Sequence, residues 1–452
     1  MAEPRRCPLL PQTSLALDQL VARAQAAGRA PCVAAAVVRA GELAHVAGAG
    51  TVLDQPADGA SVANVQFRIG SISKTMTAVL LLQLRDQGLL SLDDLLYRHL
   101  PGTPVGSNVT LRQLLAHSAG LQREPDGAWW ERTDGGDIDQ LLAALTPEKL
   151  ALAPHHGYHY SNLAYGLLGA VLHRVTGLTW AELLQQRVLT PLGMTRTSYH
   201  PADPFAPGYV VHPWLDTLRE EPRSDTGAMA PAGQLWSTPV DLTKWAAFLS
   251  DPDPAVLDPA TLREMSAPVV MNDLDTWSGG HGLGIELYRE GERVYVGHGG
   301  SMPGYLAALV VHRPSRTGVV AYANAYTLHG KSLGQLAFDM MATVLDGEPE
   351  AIAPWRPGAA PSADVADLLG RWWWMGREYE VRHDAAAGQL VLASVTRPRP
   401  EVRFRPEGKD VWRGVSGEHD GEVLAVLRDG DGVPEALDIA TFVFRRVPLL
   451  GD

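Results

Sequence analysis

Ser71 and Lys74 lie three residues apart in the segment GSISK, at the start of a long apolar stretch. Residues at this spacing share one face of a helix, so the serine hydroxyl and the lysine amine can meet there. Such a pair supplies a nucleophile and a base, which suits acyl transfer. The chain has only five lysines, and arginine cannot act as a base in their place. The alternative interpretation is a serine that caps the helix beside a solvated lysine.

The start of this helix also offers a site for negative charge. Gly70 permits a tight turn into the helix, and the first backbone N–H groups of a helix have no partner within it. The positive end of the helix is expected to help lower the pKa of Lys74. A nucleophile, a base and part of an anion site therefore fall within residues 70–74.

A second polar segment, YHYSNLAYG, places Tyr160, Ser161 and Asn162 before an apolar helix pattern. A tyrosine hydroxyl near an ammonium group can transfer a proton, and an asparagine amide can hold a substrate carbonyl. The simpler alternative is that Ser161 or Asn162 caps the helix.

A third segment, GHGGSMPGY, contains His298, Gly299, Gly300 and Ser301 between two predicted strands. Small residues along a strand edge let a substrate backbone approach closely. Taken alone, the same segment is also compatible with an ordinary glycine-rich hairpin.

Helical and strand patterns indicate the frame that positions these segments. Helical spacing of apolar residues covers 15–27, 75–87, 110–121, 162–177 and 179–189. Beyond residue 280, successive short apolar runs predict antiparallel strands, followed by one more helix. Strands and helices around a helical middle indicate an α+β sheet domain with a helical insert.

The chain is expected to contain two domains joined by a linker. The first spans 1–346, and residues 347–367 hold four prolines, which is typical of a linker. Residues 368–452 contain about eight short strands, which predicts a small all-β barrel-like domain or a sandwich.

Composition excludes several classes of function. A net charge of −13 disfavours nucleic acid and anionic membranes as partners, and no apolar run is long enough to span a bilayer. Two cysteines, Cys7 and Cys32, cannot form a disulfide framework or a cysteine metal cluster, although one bridge between them stays open. The N-terminus has no continuous apolar segment of a secretory signal, so we expect a cytoplasmic protein.

Two other clusters are not expected to do chemistry directly. His155, His156 and His159 lie close together but lack an acidic partner, so we expect them to shape a pocket wall rather than bind a metal. Trp129 and Trp130 could line an apolar acyl pocket, although packing in the core or between domains is the use we expect.

The order Ser-x-x-Lys, Tyr-x-Asn and His-x-Gly resembles the serine β-lactamase and penicillin-binding-protein superfamily. The closest resemblance is to its class C-like branch, which includes family VIII esterases and D-aminopeptidases. The segments TLRQLLAHSAGL, PLGMTRTSY and PAGQLWSTPVDLTKW also look like this branch, over residues 15–345. The C-terminal strands resemble a lipocalin-like module. The resemblance implies a β-lactamase-like antiparallel sheet with flanking helices and a helical subdomain.

The resemblance also implies a role for each site residue. Ser71 is the acylated nucleophile, and Lys74 and Tyr160 share the acid and base work, with the first proton acceptor left open. Asn162 orients Lys74 and the substrate amide. The backbone N–H groups of Ser71 and Ser301 form an oxyanion hole.

His298 stands where the family often has lysine, beside Gly299 and Gly300. Imidazole is mostly neutral at pH 7, so a strong clamp on a substrate carboxylate, and efficient β-lactamase activity, are not expected. Esterases and D-aminopeptidases of this branch often carry histidine there.

We therefore expect a serine hydrolase or acyltransferase that acts on an ester or a small, possibly D-residue-containing, peptide without metal or organic cofactor. One alternative is a thioesterase that releases and macrocyclises a nonribosomal peptide from a peptidyl carrier protein. The other is a catalytically silent binding or sensor protein.

Overall fold

The structure is a computed structural model that describes residues 8–105, 108–349 and 358–448. The chain divides into two compact units, Met1–Pro349 and Glu350–Asp452. Residues 350–357 of the predicted linker lie outside the described residues, and so does Cys7. Cys32 is buried at the start of the first strand. Among the described residues, no helix is long and apolar enough to cross a membrane.

The first unit is built on strands that come from both ends of its sequence. They are β1 (Cys32–Arg39), β2 (Glu42–Val52), β3 (Gln55–Pro56), β4 (Phe67–Arg68), β5 (Tyr209–Val211), β6 (Leu218–Glu220), β7 (Trp236–Ser237), β8 (Val270–Met271), β9 (Gly279–His281), β10 (Glu286–Glu290), β11 (Arg293–Met302), β12 (Tyr305–His312) and β13 (Thr317–Ala323).

Helices of the same unit flank the sheet and fill the middle of the sequence. They are α1 (Pro11–Gly28), α2 (Gly59–Val62), α3 (Ser73–Asp86), α4 (Leu96–His99), α5 (Leu111–Leu115), α6 (Ile138–Ala143), α7 (Asn162–Thr176), α8 (Trp180–Leu184), α9 (Ala230–Gly233), α10 (Pro239–Ser250), α11 (Pro259–Met265) and α12 (Leu333–Gly347).

Nine strands form one sheet in the order β3-β2-β1-β13-β12-β11-β10-β9-β8. Each neighbouring pair of strands from β2 to β9 in this order is antiparallel. The small sheets β4–β7 and β5–β6 stand apart from it. This arrangement confirms the predicted α+β fold with a large antiparallel sheet and a helical insert.

The sheet separates two hydrophobic cores. Successive strand residues point to opposite faces, and along β1 the side chains of Ala34 and Ala36 join one core while those of Val33 and Ala35 join the other. Helices α1 and α12 cover the second core, and the helical insert covers the first. The nearly continuous apolar sequence of β1 is explained because both of its faces are covered.

Several predicted helix boundaries differ from the structure, and two of the differences lie at segments that form the site. The helix predicted over 110–121 ends at Leu115, because the chain turns at His117, whose φ is +55°. The helix predicted from Thr75 begins at Ser73 and follows a 3₁₀ turn at Gly70–Ile72.

The second unit is a closed antiparallel barrel of eight strands, so the barrel and not the sandwich is correct. A short helix, α13 (Ala363–Ala366), precedes its first strand. The strands are β14 (Gly370–Trp374), β15 (Arg377–Asp384), β16 (Gln389–Ser394), β17 (Val402–Gly408), β18 (Val411–Gly414), β19 (Val423–Arg428), β20 (Pro434–Ile439) and β21 (Phe442–Arg445). Trp372 and Phe404 are fully buried in its core.

Candidate active site

Ser71 lies in the 3₁₀ turn that precedes α3, and Lys74 lies in the first turn of α3, which is buried on every side from Ser73 to Leu84. Gly70 adopts φ +51°, and a side chain there would lie 2.6 Å from the backbone nitrogen of Ser301. Only glycine fits this turn, because it has no Cβ and tolerates positive φ. The turn therefore brings Ser71 beside strand β11.

Lys74 is fully buried, and its Nζ contacts three oxygen atoms. Nζ donates to Ser71 Oγ at 2.9 Å, to Asn162 Oδ1 at 2.7 Å and to the carbonyl oxygen of Ala232 at 2.6 Å. The three contacts match the three N–H groups of an ammonium. When Lys74 loses a proton, two N–H groups still serve Asn162 and Ala232, and the lone pair points at Ser71.

Burial lowers the pKa of Lys74 to about 7, against the opposing charges of Glu124, Glu131 and Glu286. The positive end of α3 was expected to contribute to this change; the largest cause is the desolvation of the fully buried amine. A substantial fraction of Lys74 is therefore neutral near pH 7.

Tyr160 lies on the other side of the serine. Its hydroxyl donates to Ser71 Oγ at 2.7 Å, and its ring lies 4.9 Å from Lys74 Nζ. Burial raises the pKa of Tyr160 well above its ordinary value, opposed by the hydrogen bond to Ser71. Tyr160 is thus a neutral phenol that holds a proton next to the nucleophile.

Asn162 begins α7 and links Lys74 to a carboxylate. Its Oδ1 accepts from Lys74, and its Nδ2 donates to both carboxylate oxygens of Glu124, at 3.0 and 2.9 Å. A cation on one side and an anion on the other permit only this orientation of the amide. Ser161, and not Asn162, caps the helix by accepting from Ala164 N.

The second half of β11 forms a free edge beside Ser71. Its pairing with β10 ends at Gly297, so residues 298–302 pair only with β12. Gly299 N points away from β12, since it donates to Glu286 Oε2 at 3.0 Å. Backbone direction repeats every second residue, so the N–H of Ser301 also points to the free edge, toward Gly70 and Ser71.

The two glycines of this edge serve different purposes. A side chain at Gly300 would lie 2.1 Å from the carbonyl oxygen of Ile69, so the strand and the turn before α3 touch through their backbones. A side chain at Gly299 would meet no atom within 4 Å, so this residue borders open space.

His298 lies beside this edge with only 2% of its surface exposed. Its Nδ1 donates to the carbonyl oxygen of Gly299 at 2.5 Å, and its Nε2 has no partner among the described residues. Burial lowers the pKa of His298, although Glu286 opposes the change. The imidazole is therefore neutral at pH 7 and offers a lone pair rather than a positive charge.

A cavity of about 910 Å³ opens over these groups. The predicted site residues that line it, with Lys74 buried beneath them, are Ser71, Tyr160, Asn162, His298, Gly299, Gly300 and Ser301. The charged groups in its wall are three carboxylates, those of Glu124, Glu131 and Glu286, and one guanidinium, that of Arg123. The wall is therefore predominantly acidic.

One sequence expectation about the wall is wrong, and another is correct for only one of its two residues. The histidines 155, 156 and 159 do not line the cavity; from this segment, Tyr158 does. Trp129 lines the cavity, while Trp130 is buried and donates to Glu124 at 2.7 Å. In the part of the chain that the structure describes, no group of three or more His, Cys, Asp or Glu side chains could hold a metal ion.

Three contributors to the site were missed at the sequence level: Glu124, Glu286 and His117. Glu124 lies 38 residues before its partner Asn162, and Glu286 lies 13 residues before its partner Gly299. His117 accepts from a residue 44 positions later. In the sequence these residues are visible only as polar residues that interrupt apolar segments, and this pattern does not identify their partners.

Comparison with known proteins identifies the family. The model of the Beta-lactamase family matches residues 17–337, and a domain of unknown function, DUF7586, matches residues 361–446. The chain is 30% identical to beta-lactamase-like protein 2 of Dictyostelium discoideum, over 56% of this chain and 48% of that protein. It is 33% identical to the D-alanyl-D-alanine-carboxypeptidase/endopeptidase AmpH of Escherichia coli K12, over 39% of this chain and 47% of that one. The matches thus span about half the length of these relatives.

Among solved structures, the fold is similar to that of a D-stereospecific amidohydrolase from Streptomyces. The TM-score is 0.63 at 24% identity, covering 74% of this chain and 99% of that one. The family model covers more than two thirds of the sequence and contains every predicted site residue. The chain therefore belongs to the beta-lactamase family.

Proposed function

We propose that this protein is a serine acyl hydrolase that forms an acyl-enzyme on Ser71. The observation that carries the proposal is the position of Ser71 Oγ, which is 2.9 Å from Lys74 Nζ and 2.7 Å from the Tyr160 hydroxyl. An activated nucleophile requires a base within hydrogen-bonding distance, and this arrangement supplies one.

Lys74 is the better candidate for the first proton acceptor. A base is most effective when its pKa lies near the working pH, and the pKa of Lys74 is about 7. The pKa of Tyr160 is raised well above its ordinary value by burial, so its phenolate is scarce. Ser71 Oγ attacks the substrate carbonyl carbon while its proton passes to the neutral amine of Lys74.

The remaining groups serve the rest of the cycle. The N–H groups of Ser71 and Ser301 face the developing oxyanion. When the tetrahedral intermediate collapses, the proton held on Lys74 passes to the leaving oxygen or nitrogen, and the Tyr160 hydroxyl lies beside this path at 2.7 Å from Ser71 Oγ. Water then attacks the acyl-enzyme by the same proton route in reverse. The site needs no metal or organic cofactor for these steps.

The proposed substrate is an ester or a small peptide or amide whose acyl part carries a free amino group. Three carboxylates in the cavity wall against one guanidinium favour a cation there. A neutral His298 offers little attraction to a substrate carboxylate. The names of AmpH and the Streptomyces amidohydrolase both refer to D-configured substrates, which supports a D-residue at the acyl position.

A fluorophosphonate probe followed by peptide mapping tests the nucleophile. We expect one adduct, on Ser71, and none in Ser71→Ala. An adduct elsewhere, or no adduct on folded protein, would falsify the mechanism.

A substrate panel then tests the acyl group. We expect D-phenylalanine p-nitroanilide to react faster than its L-enantiomer, and N-acetylation of the D-compound to lower kcat/KM. Equal rates for the free and acetylated compounds would remove the role assigned to the acidic wall.

The two alternative functions expected from the sequence have tests of their own. Cyclic products from a carrier-bound peptide would point to the macrocyclising alternative. A protein whose Ser71 reacts with the fluorophosphonate but which turns over no substrate would point to a sensor. The cytoplasmic location also stays a prediction.

A further inference from the structure

His117 connects the loop after α5 to the segment that carries Tyr160. It is 1% exposed, and its φ of +55° turns the chain out of the helix. Its Nδ1 accepts a hydrogen bond from Ser161 N at 3.0 Å, and its carbonyl oxygen accepts from His159 N at 2.8 Å. Its ring lies against the ring of Tyr160, with the centroids 4.3 Å apart. His117 therefore bonds to the residues before and after Tyr160, and its ring packs against the Tyr160 ring.

The hydrogen bond from Ser161 determines the protonation state of His117. A backbone N–H can only donate, so Nδ1 of His117 must carry a lone pair and the proton of the neutral ring lies on Nε2. Nε2 has no partner among the described residues, so it does not compete in selecting the tautomer. Protonation at Nδ1 would replace this hydrogen bond with two opposed donors.

The surroundings keep the ring neutral. Burial lowers the pKa of His117 well below its ordinary value, and His281, Lys74, His298 and Arg123 lower it further. The other titratable groups that pack against the ring are three phenols, those of Tyr158, Tyr160 and Tyr165. None of the contacts that the structure gives His117 is with a carboxylate that would favour an imidazolium.

The two neighbouring histidines do not supply a competing acceptor for Ser161. His281 Nδ1 lies 3.0 Å from the carbonyl oxygen of Gly282, and His298 Nδ1 lies 2.5 Å from that of Gly299, so both are donors at Nδ1. Burial lowers the pKa of both rings. The acceptor that holds Ser161 is thus particular to His117.

We propose that His117 is a positioning residue, whose neutral Nδ1 fixes the segment 159–161 so that the Tyr160 hydroxyl stays on Ser71 Oγ. This inference rests on the proposed acyl-enzyme at Ser71. His117 itself does not touch the nucleophile, so its effect passes entirely through Tyr160 and Ser161.

Two polar variants of similar size separate this role from general packing. In His117→Asn the amide oxygen replaces Nδ1 as the acceptor for Ser161 N, and asparagine also tolerates positive φ. In His117→Gln the amide lies where Nε2 was, so Ser161 N loses its acceptor. Both variants are compared with the wild type by p-nitrophenyl ester turnover, with active sites counted by fluorophosphonate.

We expect His117→Asn to keep a kcat per active site close to that of the wild type. His117→Gln should lose kcat by about 100-fold with little change in KM, because an ångström of misplacement at a reacting group costs about that much. If His117→Gln does not fold, His117→Asn decides alone: a folded but inactive His117→Asn overturns the inference. Equal kcat values for folded Asn and Gln variants overturn it as well. A wild type that fails to label at Ser71 would instead contradict the proposed function.

Discussion

The cavity of the first unit and the barrel of the second differ in how many polar side chains they bury. Beneath and beside the cavity, Lys74, His117, His281 and His298 are all at most 2% exposed, and one ring nitrogen of each imidazole has no hydrogen-bond partner among the described residues. Among the described barrel residues, His419 is the only polar or charged residue that is buried. The charges of the barrel lie on its surface in ion pairs such as Arg445 with Glu435.

This difference separates residues kept for chemistry from residues kept for stability. Burying a polar group without a full set of partners opposes folding, so a core selected for stability alone would resemble that of the barrel. The groups beneath the cavity oppose folding in the same way but acquire properties that exposed groups lack. Lys74 is the clearest case, since its lowered pKa follows from the burial itself.

The largest effect should come from Lys74→Arg. Arginine keeps the positive charge but cannot give up its proton, so we expect kcat to fall by at least about 10³-fold, as for other members of a catalytic unit. Lys244→Arg is the matched control, because Lys244 is partly exposed, pairs with Asp241 and does not line the cavity. Ester turnover measures both variants. A Lys74→Arg enzyme with near-normal kcat would refute the role of the lysine as base.

In the barrel, the largest effect should come from an apolar residue. Trp372 is fully buried and donates to the carbonyl oxygen of Leu368 at 2.8 Å, and Arg446 lies 3.9 Å above its ring. Trp372→Ala should lower the free energy of opening of the barrel strands by about 3–5 kcal/mol, measured by hydrogen exchange on the full chain. Arg445→Ala, which removes an exposed ion pair, should produce no measurable change. A larger effect from Arg445 than from Trp372 would contradict the comparison.

The smallest effect should be a shift in pH dependence. The rate of fluorophosphonate labelling should rise with pH through about 7, because only the neutral amine of Lys74 can accept the proton of Ser71. Glu124 stabilises the ammonium form and so raises this pKa. Glu124→Gln removes the charge but keeps an amide oxygen for Asn162, and should move the rising limb to lower pH.

Glu131→Gln is the control for this shift. It should move the rising limb to lower pH by less than Glu124→Gln does, because Glu131 raises the pKa of Lys74 less than Glu124 does. Movement of the limb to higher pH in Glu124→Gln would show that Lys74 is not the titrating base.

Local patterns in the sequence predicted the fold and most of the site. Short-range periodicity located the long strands of the first unit and the strands of the barrel, but not the short strands β3 to β9. The spacing of Ser71 and Lys74 anticipated their contact of 2.9 Å. The helix expected over 110–121 was too long, because the turn at His117 depends on its contact with Ser161. Glu124 was missed for the same reason, since its role depends on Asn162 across 38 residues.

The sequence was sufficient to identify which groups could react, because nucleophile, base and helix start fall within five consecutive residues. Chain folding over long distances sets the reactivity of these groups. The pKa of Lys74 depends on the removal of water from its amine, which requires packing from residues throughout the unit. The free edge of β11 likewise exists because β10 begins only at Glu286 and leaves residues 298–302 unpaired on one side. Desolvation and strand pairing are properties of the assembled chain, so no short segment encodes them.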